Sequence, residues 1–394
     1  MFIQRLMCRA CYNRTVLAKS KVRCKGSKSQ LGNESPLKNL LNDASAFEEG
    51  QQREPALQWA TQPYTARPGR ATASEPRTEP QDTAVLLFPG QGSQRVGMGR
   101  LLADIPAARE LYELASSVVG WDVWRVCTEG PAEELARRCQ TAVVVTALAA
   151  LERARELRPG VLERRVRGAA GFSLGEFAAL VFAGALPLER ALRLLELRTA
   201  AARAAAAERA GGMLTLWLAA DARLAPALAA ARDHARRRGQ PEPVAQVANY
   251  LYPNCKVVAG DEEALKWLES NGSSFGIRRC ARVAAEGAFH TPLMRKAEDA
   301  LREALANMEV RAPRVAVVSG THARAYGGPR DVRARLAQHV ARAVRWEQAL
   351  HALYARPRGA RFPLTLTLGP GAALRATLRQ VNARAWDSSV HIDV

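Results

Sequence analysis

The sequence predicts an α/β fold in which a mostly parallel sheet is flanked by helices and a smaller α+β subdomain is inserted. Two observations carry this prediction. Four apolar segments of strand length are separated by helical patterns, and they cover Ala84 to Phe88, Val166 to Phe172, Val315 to Ser319 and Leu364 to Leu368. Between Gly211 and about Ala284 the order becomes strand, helix, two strands, helix and strand, which is the order of a ferredoxin-like unit.

The first 31 residues have the composition of a mitochondrial transit peptide. They contain eight lysine or arginine residues and no acidic residue, with a small apolar patch between Phe2 and Met7. A disordered basic arm is the alternative, and the lack of an uninterrupted apolar core disfavours a signal peptide. Residues 32–82, rich in Glu, Gln, Pro, Ser and Thr, are predicted to be a disordered linker. The large α/β domain is then expected at 83–210 and 285–394, and the small subdomain at 211–284.

Residues 171–175 form a G-x-S-x-G motif at the point where a predicted strand gives way to a helical pattern. On such a turn, flanking glycines let the backbone bend, and the serine hydroxyl is exposed at the carboxyl edge of the sheet. Ser173 is therefore the candidate nucleophile, and the backbone N–H of Leu174 is a candidate donor to an oxyanion. An ordinary glycine-flanked turn is the alternative, because short patterns recur by chance in an Ala/Gly-rich chain.

A nucleophilic serine needs a base, and the chain has six histidines. His290 is the best candidate, because it lies on a loop between Gly287 and the helix-starting Pro292, and loops held by a scaffold often carry catalytic bases. His234 lies in a charged run, and His339 and His351 lie in helical patterns typical of surface or packing residues. His391 lies near the carboxyl end, where fraying is expected. His322 follows a strand-like segment and stays an alternative.

Arg198 lies on the apolar side of a predicted helix. At about 100° per residue it falls within roughly 60° of Ala191, Leu194 and Leu195, so it faces inward. A buried guanidinium is costly unless it meets an anion, and its planar fork suits a carboxylate. The alternative is a structural ion pair or a side chain that extends to solvent.

Five motifs, taken in this order and spacing, resemble the malonyl-CoA:acyl carrier protein transacylases, and in particular their mitochondrial type. The motifs are Phe88 to Gln94, Gly171 to Glu176, Arg198, Gly287 to Thr291, and Leu368 to Gly371. The resemblance runs from about Ala84 to the carboxyl terminus. It implies an α/β-hydrolase-like core with the ferredoxin-like insert. It also implies malonyl transfer from malonyl-CoA to the phosphopantetheine thiol of acyl carrier protein through a malonyl-serine, for mitochondrial fatty acid synthesis.

The resemblance also assigns site residues. Ser173 and His290 would be catalytic, and Arg198 would hold the malonyl carboxylate, which favours malonyl over acetyl. The backbone N–H of Gln91 would be the second oxyanion donor beside Leu174. His290 would be oriented by a backbone carbonyl rather than by an Asp. The matching stretch, residues 336–340, carries a histidine at 339 where relatives have glutamine.

The resemblance implies further properties of the enzyme. Asn249 matches a family asparagine near the active site. No cofactor or metal is implied, since malonyl-CoA is a substrate. The partners would be malonyl-CoA and acyl carrier protein, the compartment the mitochondrial matrix, and the expected state a monomer.

Three positions depart from the family pattern in ways that bear on the site. Thr141 and Thr367 replace a proline and an acidic residue, respectively. Glu286 stands where serine is common, four residues before His290. A carboxylate pointing into the site would repel malonate or raise the basicity of His290.

Charge and composition limit the other functions. The net charge is +19, and the +14 that remains without the first 82 residues suits CoA phosphates and an acidic carrier protein. No nucleic-acid motif is present and aromatics make up 6% of residues, so we expect no specific nucleic acid. No apolar run approaches the ~20 residues that span a bilayer. The seven cysteines form no pair pattern in the catalytic part.

Two other classes of function stay open. One is a serine hydrolase or thioesterase of the α/β-hydrolase type, which would need an acidic triad member between the serine and the histidine. The other is a non-catalytic, basic carrier- or RNA-binding protein.

Overall fold

The computed structural model describes residues 82–158, 160, 162 and 165–394. The predicted transit peptide and all but the last residue of the predicted linker therefore lie outside the described residues.

The described residues form ten strands, numbered in chain order: β1 Thr83–Phe88, β2 Arg165–Gly171, β3 Gly211–Leu218, β4 Ala245–Tyr252, β5 Cys255–Asp261, β6 Ile277–Arg282, β7 Val317–Ser319, β8 Arg324–Ala325, β9 Leu364–Leu368 and β10 Ser389–Ile392. The same part of the chain forms thirteen α-helices: α1 Pro106–Val119, α2 Val123–Thr128, α3 Ala132–Arg137, α4 Cys139–Leu157, α5 Gly175–Phe182, α6 Leu188–Glu208, α7 Leu224–Arg237, α8 Glu262–Asn271, α9 Arg295–Ala306, α10 Pro329–Gln338, α11 Trp346–Leu353, α12 Ala373–Val381 and α13 Ala383–Asp387. Short 3-10 helices cover Arg100–Leu102, Gly272–Phe275 and Pro292–Met294.

Six strands form the large sheet, in the order β10-β9-β1-β2-β7-β8. The first five run parallel, and β8 pairs antiparallel with β7 at the edge. All six residues of β1 are buried, as a continuous apolar run predicts for a central parallel strand. Leu86 and Phe88 join the core on one face with α4, α5 and α6, whereas Val85 and Leu87 join the core on the other face with α11 and α12. Helices therefore cover both faces of the large sheet.

Four strands form the small sheet, in the order β4-β5-β3-β6, and every pair is antiparallel. With two helices interleaved, this is the ferredoxin-like order that the sequence predicts. One face packs on α7 and α8 through residues such as Leu214, Leu216 and Leu265. The alternate residues of β3, Met213 and Thr215, point to the other face and line a cleft toward the large sheet.

The carboxyl-terminal strand β10 was not predicted. Fraying is expected at His391 because it lies near the carboxyl end, and this expectation is wrong, because Ser389–Ile392 pairs in parallel with β9. Thr367 lies opposite His391 in that pair, and the Nδ1 of His391 is 2.9 Å from the Thr367 carbonyl oxygen. The buried threonine at 367 is thus part of the strand pairing that holds the chain end.

None of the helices in the described ranges combines the length and the apolar composition that crossing a membrane requires.

Candidate active site

The turn between β2 and α5 holds Ser173 in a strained backbone conformation. Its φ is 48°, a region that costs a non-glycine residue of order 1–3 kcal/mol. The chain can make this turn because its neighbours are glycines. A Cβ on Gly171 would lie 1.9 Å from the carbonyl carbon of Gly175, and a Cβ on Gly175 would lie 2.3 Å from the Phe88 oxygen. The G-x-S-x-G spacing therefore follows from close packing of α5 against β1 and β2.

His290 lies directly beside the serine, with its Nε2 2.8 Å from Ser173 Oγ. It is held in a positive-φ conformation, at 65°, on the loop before Pro292. Its backbone N–H donates to the Val340 carbonyl at 2.7 Å, and its carbonyl accepts from Gln246 Nε2 at 3.2 Å. These bonds hold the imidazole at the serine from both sides of the loop.

The hydrogen bonds of His290 Nδ1 decide which ring nitrogen carries the proton. Nδ1 lies 2.9 Å from the His339 carbonyl and 3.0 Å from the Arg342 carbonyl. Carbonyl oxygens only accept, so Nδ1 carries the proton and the lone pair of Nε2 faces Ser173. Burial, with a further contribution from the Arg198 charge, lowers the pKa of His290 to about 4. The imidazole is therefore neutral at pH 7 and able to take a proton.

Arg198 projects from α6 into the same cleft, with 1% of its surface exposed. Its Nη1 donates to Gln140 Oε1 at 2.5 Å, and its guanidinium lies over the Phe289 ring at 5.3 Å from the centroid. Within the described residues no carboxylate forms a salt bridge with it, and its Nε has no hydrogen-bond partner. Burial lowers its pKa to about 10, so the group still carries its charge at pH 7.

The glycine-rich loop after β1 approaches the serine turn closely. A Cβ on Gly90 would lie 2.3 Å from the Phe172 carbonyl oxygen, so only glycine fits this approach. Gln91, the next residue, lines the same cleft as Ser173, whereas the side chain of Leu174 is fully buried beneath the turn. Gln91 therefore shares the cleft with Ser173, and Leu174 follows Ser173 directly in the chain.

Ser173, His290 and Arg198 meet in one cleft of about 1150 Å³, a volume that includes its open mouth. The cleft lies between the large sheet and the free face of the small sheet. Apart from these groups its walls are mainly apolar: Met213, Trp217, Leu251, Val257, Trp346 and Leu374. A thioester carrying one negative group at its end fits this combination of an apolar cleft and a buried cation.

Comparisons with known proteins agree with this geometry. Residues 85–361 match the acyl transferase domain family. The chain is 44% identical over 319 residues to the probable mitochondrial malonyl-CoA-acyl carrier protein transacylase of Drosophila melanogaster, covering 80% of this chain and 84% of that protein. It is 43% identical over 324 residues to the mitochondrial malonyl-CoA-acyl carrier protein transacylase of Homo sapiens, covering 82% and 83%.

The chain belongs to the malonyl-CoA:acyl carrier protein transacylase family. Solved structures extend the likeness to the fold. An acyl-carrier-protein S-malonyltransferase from Burkholderia pseudomallei superposes with a TM-score of 0.69 at 28% identity, covering 79% of this chain and 96% of that one. A malonyl-transacylase in complex with a type II PKS acyl-carrier protein gives 0.69 at 26% identity, with the same two coverages. The predicted fold class, an α/β-hydrolase-like parallel core with a ferredoxin-like insert, is confirmed.

Asn249, which matches a family asparagine near the active site, also faces the cleft from β4. Its side chain is 6% exposed, and its Oδ1 has no hydrogen-bond partner among the described residues. Such a buried acceptor is costly unless a ligand or water donates to it. Asn249 is therefore available to bind a donor group of a substrate of this family.

The departures from the family pattern leave the centre of the site unchanged. The Glu286 carboxylate turns outward, with 70% of its side chain exposed, and pairs with Arg203 at 3.1 Å. It makes no contact with His290, so the expected repulsion of malonate or activation of the base does not arise from its position. The hydroxyl of Thr141 donates to Glu196 Oε1 at 2.6 Å.

Four residues near the reacting groups were missed as site residues. Phe289 packs on the guanidinium of Arg198, and Gln140 accepts its hydrogen bond. Glu176 and the side chain of His339 lie fully buried behind His290. Glu176 directly follows the serine motif, but a helix-start carboxylate is normally exposed, so its position alone gave no signal. Among the described residues, no group of three or more His, Cys, Asp or Glu side chains could hold a metal ion.

Proposed function

We propose that this protein transfers the malonyl group of malonyl-CoA to the phosphopantetheine thiol of acyl carrier protein through an ester on Ser173. One observation carries the proposal. The Ser173–His290 pair shares its cleft with a buried arginine that has no carboxylate partner among the described residues. A nucleophile suited to acyl transfer and a cation suited to a terminal carboxylate together match the two functional groups of a malonyl thioester.

The first half-reaction loads the enzyme. Ser173 Oγ attacks the thioester carbonyl while Nε2 of His290 takes its proton, and a tetrahedral oxyanion forms. The carbon–sulfur bond then breaks, the CoA sulfur takes the proton from His290, and malonyl-Ser173 remains. The backbone N–H groups of Gln91 and Leu174 are the donors we assign to the oxyanion.

The second half-reaction is the same sequence in reverse. His290 takes the proton of the phosphopantetheine thiol as the sulfur attacks the ester carbonyl. The tetrahedral intermediate collapses, Ser173 regains its proton from His290, and malonyl leaves on the carrier protein. Because CoA must leave before the carrier thiol enters the same cleft, the kinetics are ping-pong.

Acyl selection rests on Arg198. The malonyl carboxylate accepts hydrogen bonds from the guanidinium, whereas an acetyl group leaves it buried without an anion. Asn249, with its unpaired Oδ1, is assigned a supporting contact to the bound thioester.

The remaining assignments follow from this function. The chain acts in mitochondria, as the names of its relatives and its acid-free, basic amino-terminal segment support, and we assign it to the matrix. It needs no resident cofactor, since both acyl carriers are substrates, and a monomer is sufficient because one chain supplies every site residue. The large domain takes residues 83–210 and 285–394, and the ferredoxin-like subdomain takes residues 211–284. Residues 83–394 keep a net charge of +14, which favours anionic CoA and an acidic carrier protein.

A serine hydrolase is the competing function, and the surroundings of His290 argue against it. Its Nδ1 meets two backbone carbonyls instead of the carboxylate of a hydrolase triad. The two functions also differ in product, because a hydrolase releases free malonate and a transferase passes malonyl to the carrier thiol.

Intact-mass measurement after mixing with malonyl-CoA tests the proposal. We expect the protein to gain one malonyl group and to lose it to added phosphopantetheinylated acyl carrier protein, which gains the same mass. Ser173→Ala should gain nothing, whereas Ser117→Ala, which changes an exposed serine, should behave as the parent. Acylation of the Ser173→Ala protein, or release of malonate without transfer, would contradict the mechanism.

A further inference from the structure

Glu176 begins the helix after the nucleophile turn, and its carboxyl group is fully buried. Its Oε2 accepts the backbone N–H of Gly320 at 2.8 Å, and its Oε1 accepts the hydroxyl of Tyr326. Burial raises the pKa of Glu176 to about 7, although both of these hydrogen bonds favour the ionised form. Malonyl transfer as derived above uses neither the carboxylate nor its proton.

The side chain of His339 fills the space between this carboxylate and the base. Its Nε2 lies 3.6 Å from Glu176 Oε2, and its ring packs edge-on against the ring of His290 with 5.6 Å between centroids. The ring of His339 also contacts the backbone of Ser173, but neither of its nitrogens makes a hydrogen bond of normal geometry among the described residues, although the residue is completely buried. Buried polar groups are normally paired, so an unpaired imidazole between a carboxylate and a catalytic base needs an explanation.

We propose that Glu176 is a positioning residue for His290, acting across the ring of His339. When ionised, its carboxylate stabilises the imidazolium that forms on His290 as Ser173 gives up its proton. Glu176 itself exchanges no proton with the substrate. The inference rests on the proposed acyl transfer and adds to it a third ionisable group that sets the strength of the base.

The charges around the two buried groups fix the sign of the effect. Glu176 faces Tyr326 and Arg335, and His339 faces His290 and Arg198. The charge of Arg198 opposes a positive charge on His290, Arg335 favours the ionised form of Glu176, and Tyr326 is neutral because burial raises its pKa well above 10. An ionised Glu176 is thus the nearby charge that favours the imidazolium. Acylation should therefore speed up as pH rises through about 7, where this carboxyl group loses its proton.

The size of the effect follows from the separations above. For a unit charge on the order of 10 Å away, on the far side of one imidazole ring, an effective dielectric constant of about 20 gives a change on the order of tenfold in the rate of forming the imidazolium. The protonation of His290 itself gives a separate decline near pH 4, well below this window.

Single-turnover acylation by malonyl-CoA, followed by quenched flow and intact mass between about pH 5.5 and pH 8.5, tests the inference. The parent should show a rise of about tenfold centred near pH 7. Glu176→Gln keeps an acceptor for Gly320 but cannot ionise, so it should lack the rise and stay at the parent's low-pH rate. His339→Gln keeps the main-chain carbonyl that orients His290 and offers an amide donor to Glu176, so its rise should move to lower pH.

Some outcomes would overturn this inference, and another would overturn the proposed function instead. A parent rate that is flat from pH 6 to 8, a rise that persists unchanged in Glu176→Gln, or a loss equal at every pH overturns the inference. If Glu176→Gln does not fold, Tyr326→Phe decides: it removes a donor to the carboxylate, so the rise must move to higher pH, and an unmoved rise overturns the inference. A parent that is not acylated at any pH instead overturns the proposed function.

Discussion

Replacing Arg198 by methionine separates the role that we propose for this residue in substrate selection from its effect on stability. Methionine is unbranched and apolar, so it fills most of the same space without a charge. The guanidinium is fully buried, with a hydrogen bond to Gln140 and a ring contact to Phe289 but no salt bridge within the described residues. The Arg198→Met protein should therefore lose malonyl selection and gain stability at the same time.

The two magnitudes follow from the environment of the guanidinium. Two charge-assisted hydrogen bonds to the malonyl carboxylate, at about 1.5–3 kcal/mol each, correspond to a loss of roughly 10²- to 10³-fold or more in kcat/KM for malonyl-CoA. The fall in the pKa of Arg198 from 12.5 to about 10 corresponds to roughly 3 kcal/mol of unfavourable burial. Gln140 loses its donor, which costs about 1–3 kcal/mol, so a net gain of up to about 2 kcal/mol remains.

The assay compares kcat/KM for malonyl-CoA and acetyl-CoA and the free energy of unfolding in urea. Arg193→Met, on the exposed side of the same helix, is the matched control and should change neither quantity appreciably. The expected result is a large drop for malonyl-CoA, little change for acetyl-CoA, and a higher free energy of unfolding. An Arg198→Met protein that still prefers malonyl-CoA refutes the carboxylate contact, and one that is less stable than the parent refutes the desolvation argument.

The other predictions concern the turn, the buried carboxyl group and the departures from the family pattern. Gly175→Ala puts a Cβ 2.3 Å from the Phe88 carbonyl oxygen, so urea unfolding should show a loss of at least about 2 kcal/mol. The folded pKa of Glu176, about 7, exceeds its unfolded value of 4.5. The contribution of Glu176 to stability is thus present below pH 4.5 and is lost as pH rises through 7. Because glutamine cannot ionise, Glu176→Gln should have a free energy of unfolding up to about 3 kcal/mol higher than that of the parent between pH 5 and 8. Glu286→Ser removes only an exposed ion pair, so kcat/KM should stay within about twofold; a larger change would mean that Glu286 acts on the site.

The sequence predicts the strands of this fold well where burial imposes a pattern. The segment Ala84 to Phe88 is apolar throughout because both faces of β1 are covered, and the observed strand is Thr83–Phe88. By contrast, Ser389–Ile392 is short, mixed in polarity and at the chain end. Its pairing depends on a neighbour, β9, which no local pattern identifies. A strand that exists because of its partner cannot be predicted from its own residues.

The residues of the site also divide into those that nearby sequence identifies and those that only contacts with distant parts of the chain identify. Ser173 stands in a motif whose glycines are required by local packing, and Arg198 occupies a helix face that periodicity identifies, so both could be found from nearby residues. Gln140 and Phe289 contact the Arg198 guanidinium from distant positions in the chain. His339 is predicted to be a surface or packing residue; it is a packing residue, but the ring that it contacts is that of His290, which its own sequence position does not indicate. Such contacts are set by tertiary packing alone.

Two backbone carbonyls, and no carboxylate, contact Nδ1 of His290, and this arrangement keeps the charge of Arg198 available for a substrate carboxylate. A carboxylate at Nδ1, as in a hydrolase triad, would strengthen the base, but it would also place an anion close to Arg198, whose charge already lowers the pKa of His290. That anion would attract the guanidinium and compete with the malonyl carboxylate. Two carbonyl oxygens orient the imidazole without this competition. Glu176, behind the ring of His339, then supplies negative charge to the base from a position where it forms no salt bridge with Arg198, so base strength and carboxylate recognition can coexist.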